Sequence, residues 1–459
     1  MKSIILALSL LIITSSIKSQ NYDLNNKKYW LYRERLQYFV VNDKPEFEGV
    51  GCVASERNSW GTQTIAYGQH IINFGYYLGV LASEYALLKK QGINADSTEN
   101  ELENALKSYI RLDKCEKSER WGMSENKFDG FFMREDVPYN FLEKYSEKLN
   151  FGLDKKSTVY NTKFGVGYPA YVDEIYSYDK RCKIYVSRDT WNPKAGIISQ
   201  DEAIGLLMGL AIVKKLMPDS SYSCKTAKLI TKTLITHIRN NDESLGSKHW
   251  MIYNPHGELV DYNLGGDARA YSYGFAKAAE FITDEPIDSF YSGYEKRRAY
   301  KSLWNTFQFY GVSNTHAHLV AALAAVGNSW SIAGKNNTGK GILNVTIKEK
   351  WHPLYLLIWK TLQNSKDEYF INDVIIDLNS APEFGPYCLN DSIKSNFGGW
   401  ASSAKYWHTK EEQFDGTPDW FSGLYNGLDY LLLYNLYHLS VIESEKKPKG
   451  FPEYNKFRK

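Results

Sequence analysis

Residues 201–217 read DEAIGLLMGLAIVKKLM, and this stretch decides the class of fold. Its apolar residues recur at helical spacing and surround nearly the whole helix, with glycine and alanine among them. A helix that is apolar on all sides must pack inside other helices, because no face of it favours contact with water. The stretch therefore predicts a helix in the inner layer of a large helical protein.

The chain on both sides of this stretch predicts further helices of two kinds. Residues 318–327, HLVAALAAVG, are also apolar on nearly all sides, whereas 99–112 and 225–240 each have one charged face and belong in an outer layer. Thr98 and Glu101 have the spacing of a capping box. Other predicted helices are 25–41, 67–90, 267–282, 294–307, 351–363, 371–378 and 426–443. Alternating buried and amphipathic helices joined by short turns favour an all-α fold, specifically an (α/α)6 toroid of helical hairpins.

The first residues have the composition of a secretory signal peptide. Lys2 precedes an apolar run from Ile4 to Ile13, and small and polar residues follow. The run has about ten residues where a membrane span needs about 20, and no cysteine near residue 20 offers a site for a lipid. We therefore expect a signal peptide at 1–19 and a secreted or periplasmic protein without stable membrane insertion.

The mature chain is expected to form one domain at 20–445, followed by a basic tail at 446–459. Within it, residues 113–199 are rich in Gly, Pro, Asp and aromatic residues and show little helical spacing. A long irregular segment inside a domain is usually functional, so much of the site is predicted there. Aromatic residues make up 15% of the chain, which suits stacking on sugar rings as well as it suits a large core.

Charge, cysteines and missing motifs exclude several classes of protein. The formal net charge is +2 and falls to about zero without Lys2 and Lys18, so a nucleic-acid partner is not expected. The five cysteines contain no C-x-x-C pair, which disfavours zinc and thiol redox chemistry and leaves one or two disulfides open. The chain has no phosphate-binding glycine loop, no G-x-S-x-G elbow and no H-E-x-x-H helix. No cofactor or metal is predicted.

The segment FDGFFMREDVP, residues 128–138, sets acidic residues beside aromatic ones. Desolvation by apolar neighbours raises the pKa of a carboxylic acid, as a general acid that works near neutral pH requires. Asp129 is the favoured acid because Gly130 lets the backbone approach a ligand, and Asp136 is in reserve. Arg134 would neutralise these acids or bind an acidic sugar. The alternative for the whole segment is a salt-bridged turn.

The segment SRDTWNPKAGIISQDE, residues 187–202, leads into the inner helix. Asp201 lies in its first turn, where the helix dipole keeps a carboxylate ionised, as a catalytic base or nucleophile requires. Stabilisation of the helix explains Asp201 equally well. Ser199 and Glu202 have capping-box spacing, which favours a structural role for Glu202. The loop part supplies a reserve acid and two candidates for sugar binding: Asp189, Arg188 and Trp191.

Later segments supply residue types that suit elimination from a uronic acid. That reaction needs Asn, His or Arg to neutralise the carboxylate and Tyr or His to remove the neighbouring proton. The candidates are Arg269, Tyr273, Asn314 and His316, and Asp267 is a further reserve acid for hydrolysis. His316 and His318 point about 200° apart on a helix, so a shared metal is disfavoured. Trp400 and Trp420 are expected to line the same cleft. A helix cap and a core histidine are the alternatives for Asn314 and His316.

Four phrases carry a resemblance to a known group of proteins: FGYYLGVLASEYALL, FDGFFMREDVP, SRDTWNPKAGIISQDEAIGLLMGLA and NGLDYLLLYNLYHL. They resemble the secreted (α/α)6-toroid proteins, which include glycoside hydrolases and polysaccharide lyases. The resemblance covers most of the mature chain loosely and assigns no single family. It implies a glycan substrate and a site in a cleft at one end of the inner helices, where loops and helix N-termini meet.

Three functions follow as hypotheses. The first is a glycoside hydrolase with two carboxylates across the scissile bond, Asp129 and Asp201 being the first pair. The second is a polysaccharide lyase that uses His316 and Tyr273 on the proton, with the Asn and Arg named above as neutralisers. The third is a non-catalytic glycan-binding protein similar to the helical receptors of saccharide uptake, which typically carry a lipidated cysteine that this chain lacks.

Overall fold

A computed structural model describes separate parts of the chain, and these parts are mainly helical. The described residues are 24–40, 56–58, 65–66, 70–115, 128–133, 136–138, 177–179, 184–186, 198–240, 250–253, 272–290, 326, 353–363, 371–381, 387–388 and 423–444. Their helices are α1 (24–35), α2 (His70–Lys90), α3 (Asp96–Cys115), α4 (Gln200–Leu216), α5 (Tyr222–Asn240), α6 (Ser272–Thr283), α7 (Pro353–Gln363), α8 (Ile371–Ser380) and α9 (Leu428–Ser444). The predicted all-helical class is confirmed for this part of the chain.

Each of these helices was predicted from apolar spacing. The inner stretch at 201–217 becomes α4, which begins and ends one residue earlier. The predicted helix at 294–307 lies outside the described residues, and so does 318–327 except for residue 326. Short 3-10 helices follow α1 at Leu36–Tyr38 and α6 at Ile287–Ser289.

Strands of two or three residues form two small antiparallel sheets. They are β1 (Glu56–Asn58), β2 (Ile65–Ala66), β3 (Asp136–Pro138), β4 (Ser177–Asp179), β5 (Ile184–Val186), β6 (Tyr387–Cys388) and β7 (Gly423–Tyr425). The first sheet has the order β2-β1-β7-β6, with Glu56 opposite Ala66 and Tyr425. The second has the order β3-β5-β4, with Tyr185 opposite Val137 and Tyr178. Because β2 and β7 directly precede α2 and α9, the first sheet lies where those helices begin.

The tightest packing in the described part joins α2 to α4. A Cβ on Gly75 would lie 2.5 Å from the carbonyl carbon of Gly205, and a Cβ on Gly205 would lie 2.8 Å from the Cα of Ile72. Only glycine lets two helix backbones approach this closely. Gly79, one turn after Gly75, lies against Ile212, two turns after Gly205, so α2 and α4 run parallel.

A third inner helix, α9, also packs against α2 and runs in the same direction. The Nδ2 of Asn426, just before α9, donates to the Oδ1 of Asn73 at 2.9 Å. Further along, the Nδ2 of Asn435 donates to the carbonyl of Val80 at 3.2 Å. Nearly every described side chain of these three helices is buried, as predicted for α4.

The amphipathic helices α3 and α5 lie outside the inner layer. Tyr77 donates to Glu101 at 2.6 Å and Thr98 donates to Glu84 at 2.8 Å, so α3 runs antiparallel to α2. The expected capping box of Thr98 and Glu101 is therefore wrong. The helix begins earlier, at Asp96, whose N–H is bonded by the side chain of Asn94, and both residues of the expected box instead face α2 and α1.

A buried ion-pair network connects α1, α2 and α3. The carboxylate of Glu84 accepts hydrogen bonds from Arg33 at 2.8 Å and from Tyr29 at 2.5 Å, in addition to Thr98. Arg33 also pairs with Glu101 at 3.0 Å. Burial alone raises the pKa of Glu84, but the Arg33 charge and the donated hydrogen bonds outweigh it and hold that pKa below its ordinary value.

Lys28 links α1 to the end of α8. Its buried ammonium donates to the carbonyls of Leu378 at 2.6 Å and Ala381 at 2.9 Å, at the end of α8. The last carbonyls of a helix have no partner within the helix, and a cation there also interacts favourably with the helix dipole. Lys28 thus fastens α1 to a helix that comes some 350 residues later.

One described helix is long and apolar enough to cross a membrane. It spans Ile71–Lys90, and 94% of its most apolar window is buried inside the protein. The core helix of a folded domain has the same properties. This helix is the central member of the inner layer.

Candidate functional site

Three carboxylates lie in the first turns of the inner helices. Because α2, α4 and α9 run parallel, their first turns form one end of the layer, which we call the inner N-terminal end. Asp201 and Glu202 belong to α4, and Asp429 belongs to α9. Glu202 and Asp429 are buried, whereas Asp201 is half-buried. The partial positive charge at helix N-termini favours ionised carboxylates at this end.

The loop at 128–133 joins the inner N-terminal end. The N–H of Ile198 donates to the carbonyl of Phe132 at 2.9 Å, two residues before α4 begins. Asp129 and Asp201, the first predicted pair, each lie three residues from this hydrogen bond. The structure therefore brings the two segments of the predicted pair to the same end of the inner layer.

Asp113, near the end of α3, holds the loop that carries Asp129. Its Oδ1 accepts the N–H of Asp129 at 2.9 Å, and its Oδ2 accepts the N–H of Gly130 at 3.0 Å. The Asp129 carboxylate in turn accepts the N–H of Phe131 at 3.3 Å. A buried carboxylate with two backbone donors makes strong hydrogen bonds, so the backbone of Asp129 has one defined position.

Gly130 is required for packing against α5, and it does not have the expected role of bringing Asp129 close to a ligand. Gly130 has φ +93°, and a Cβ on it would lie 2.5 Å from the carbonyl oxygen of Thr233 on α5. Glycine is needed here because the loop packs against a helix backbone, so it is no sign of a ligand. The neighbouring Phe131 and Phe132 are buried in the core, so their aromatic faces do not provide a platform for a sugar.

The start of α4 also differs from the expectation. Ser199 is the N-cap residue, with the expected extended backbone, but it makes no side-chain cap hydrogen bond. Its hydroxyl donates to the carboxylate of Asp201 instead, so the predicted capping box with Glu202 is wrong. Gln200, the first residue of the helix, is only 3% exposed. Its Oε1 accepts no hydrogen bond in the part of the chain that the structure describes.

A buried tyrosine pair lies between α2 and α7. The hydroxyls of Tyr76 and Tyr355 are 3.0 Å apart and share a hydrogen bond. Burial raises the pKa of both well above the ordinary tyrosine value, and the charge of Asp429 adds to this. Neither hydroxyl loses its proton near neutral pH. These two tyrosines are therefore suited to donating hydrogen bonds and unsuited to removing a proton from a substrate.

Asn426 sets the position of Asp429. Its Oδ1 accepts the N–H of Leu428 at 3.0 Å, which caps α9, while its Nδ2 bonds to Asn73 on α2. Gly427 between them has φ +74°, a backbone conformation that favours glycine. Sequence reasoning missed Asp429 and Asn426. Asn-Gly before an apolar helix signals a cap, but it does not reveal the partner on α2.

Most of the predicted site residues lie outside the described residues. These are Arg134, Arg188, Asp189, Trp191, Asp267, Arg269, Asn314, His316, Trp400 and Trp420. Asp136 is the first residue of β3 and Tyr273 the second residue of α6, and only their backbones are described. The predictions for these residues stay predictions.

Within the described residues no group of three His, Cys, Asp or Glu side chains is arranged to hold a metal ion. Cys224 on α5 is a buried free thiol. Comparison of the chain with known protein families, with characterised proteins and with solved structures finds no match. The chemistry of the inner N-terminal end is thus the basis for assigning a function.

Proposed function

We propose that this protein is a secreted glycoside hydrolase built on an (α/α)6 toroid. The observation that carries the proposal is the set of acids at the inner N-terminal end. Asp201 and Glu202 on α4, Asp429 on α9 and the loop with Asp129 lie at the same end of parallel helices. Hydrolysis of a glycosidic bond requires two carboxyl groups that face each other across the bond.

The helix arrangement supports a toroid. Three inner helices run parallel, and α3 is antiparallel to its inner neighbour α2. Lys214, near the end of α4, pairs with Asp284, just after α6, at 3.1 Å, so α6 runs in the same direction as the inner helices. Parallel inner helices with returning outer helices are what a ring of helical hairpins requires.

In the proposed reaction one carboxylic acid protonates the leaving oxygen, while a second carboxylate activates water or attacks the sugar. Asp201 is the proposed carboxylate, because it lies in the first turn of α4 at the inner N-terminal end. Asp129 is the proposed acid, and Glu202 and Asp429 are further buried carboxyl groups that the structure adds at this end.

The test is cleavage of neutral and uronic-acid polysaccharides by the mature protein, with reducing ends and near-ultraviolet absorbance followed together. We expect new reducing ends without absorbance. Asp129→Asn and Asp201→Asn should each lower the rate by about 100-fold or more, the usual contribution of an acid or base. Glu285→Gln is the matched control, because Glu285 lies beyond the end of α6, away from the inner N-terminal end.

Other outcomes of this assay point to the other two hypotheses. Reducing ends together with absorbance would mean elimination, and His316→Ala should then abolish activity. Binding of a glycan without cleavage, unchanged by Asp129→Asn and Asp201→Asn, would mean a glycan-binding protein. Wild-type rates in all the acid variants would contradict the hydrolase mechanism proposed here. Secretion is tested separately, by whether residues 1–19 are absent from the exported protein.

A further inference from the structure

The start of α4 has hydrogen-bonding groups that the described residues do not satisfy. The Oε1 of Gln200 is buried and accepts no hydrogen bond from the described residues. The N–H groups of Gln200 and Asp201, at the first two positions of the helix, likewise have no acceptor there, since Ser199 makes no side-chain cap bond. A buried polar atom without a partner costs stability, and Gln200 lies at the same end as the proposed catalytic acids, where a ligand can supply the missing partner.

We infer that the start of α4 binds a hydroxyl group of a neutral sugar through the Oε1 of Gln200 and the N–H groups of Gln200 and Asp201. A hydroxyl matches this pattern because it donates one hydrogen bond and accepts two. It would donate to the Gln200 oxygen and accept from a backbone N–H. The inference rests on the proposed function for the kind of ligand, and it adds Gln200 as a residue that determines specificity.

The charges of the same turn favour a neutral sugar over a uronic acid. A helix N-terminus normally attracts anions. Here Asp201 and Glu202 already occupy the first turn, and Asp429 lies at the start of α9. A carboxylate ligand would meet like charges, which disfavours its binding. Gln200 carries no charge, and its unpaired oxygen requires a hydrogen-bond donor from the ligand. An ionised uronate carboxylate has no hydrogen to donate.

The experiment measures binding of neutral and uronate hexasaccharides by calorimetry in an Asp129→Asn background, which suppresses cleavage if the proposed function holds. The neutral panel comprises gluco-, manno-, galacto- and xylo-oligosaccharides. Gln200→Met should weaken binding of the neutral ligand by about two- to tenfold, the value of one hydrogen bond. The same substitution should leave the melting temperature of the free protein unchanged or higher, because no hydrogen bond is lost on folding.

Gln91→Met is the matched control. Gln91 follows α2 at the opposite end of the layer, and its Nε2 is likewise buried without a partner among the described residues. Its substitution should leave the affinity unchanged. The inference is overturned if Gln200→Met binds as tightly as the background protein, if uronates bind more tightly than neutral sugars, or if no ligand of the panel binds.

The outcomes separate this inference from the proposed function. If the wild-type protein binds a neutral sugar through Gln200 but cleaves nothing, the hydrolase proposal fails and the binding site stands. If it cleaves glycans and Gln200→Met changes neither affinity nor KM, the hydrolase proposal stands and the inference fails.

Discussion

Replacing Gly75 by alanine should separate α2 from α4. The new Cβ would overlap the carbonyl group of Gly205, whose carbon would lie 2.5 Å away and whose oxygen would lie closer still. Ordinary contact begins at 3.4 Å, so the two backbones must part by about 1 Å or more. Overpacking of this kind costs about 1–3 kcal/mol, and the upper value applies because helix backbone cannot rotate aside as a side chain does. Alanine regains about 1 kcal/mol of helix propensity, which leaves a net loss of about 2 kcal/mol.

Gly79→Ala is the matched control, one turn further along the same helix. Its Cβ would meet only the ends of flexible side chains, Ile212 at 3.0 Å and Leu432 at 3.2 Å, which can move. The gain in helix propensity should then offset most of the free-energy cost of these contacts, and the free energy of unfolding should change by less than about 1 kcal/mol. Urea unfolding followed by circular dichroism compares the variants. Equal stability of Gly75→Ala and Gly79→Ala would refute the reasoning.

Two further predictions concern contacts of α1. Glu84→Gln should lower the free energy of unfolding at pH 7 by about 3 kcal/mol, because Arg33 loses a buried partner. Since the pKa of Glu84 lies below its ordinary value, its contribution is complete above about pH 4.5 and is lost as the pH falls through the lower folded-state pKa. The free energy of unfolding, measured in urea from pH 7 to pH 3, should thus fall less steeply with decreasing pH in the variant than in the wild type. An equal fall in both proteins would contradict this. Lys28→Met should cost about 1–3 kcal/mol in the same assay by leaving the last carbonyls of α8 unbonded, while exposed Lys27→Met should cost little.

Apolar spacing predicted the helices well because it records which faces are buried. The stretch at 201–217 has no polar residue from Ala203 to Val213, and α4 is indeed buried over that span. Spacing says nothing of which helix lies against which. The glycines Gly75 and Gly205 are 130 positions apart in the chain, and only their contact explains why both are glycine.

Capping patterns predicted the helix starts less well. Thr98 with Glu101 and Ser199 with Glu202 both have the right spacing, yet neither pair forms a capping box. In the first pair, buried partners on other helices compete for the same side chains and offer stronger, charge-assisted bonds. A local pattern cannot include such competition, because the competing groups are distant in sequence.

The candidate site was predicted only in part. The sequence singled out Asp201 and the segment around Asp129 because acids stand beside glycine or a helix start. It missed Asp429, since one acid in an apolar helix gives no local sign of function. Gln200 was also missed, because a buried atom without a hydrogen-bond partner can be recognised only in the folded structure.

The bonds from Lys28 to the end of α8 constrain how the chain is made. During synthesis α1 leaves the ribosome some 350 residues before the carbonyls that Lys28 binds. At the usual speed of translation this interval is roughly 20–70 s. Throughout it Lys28 lacks the carbonyls that it binds in the folded protein, although α2 and α3, which α1 also contacts, emerge early. The contact between α1 and α8 therefore forms only after most of the chain has been made, and it cannot guide the early packing of α1.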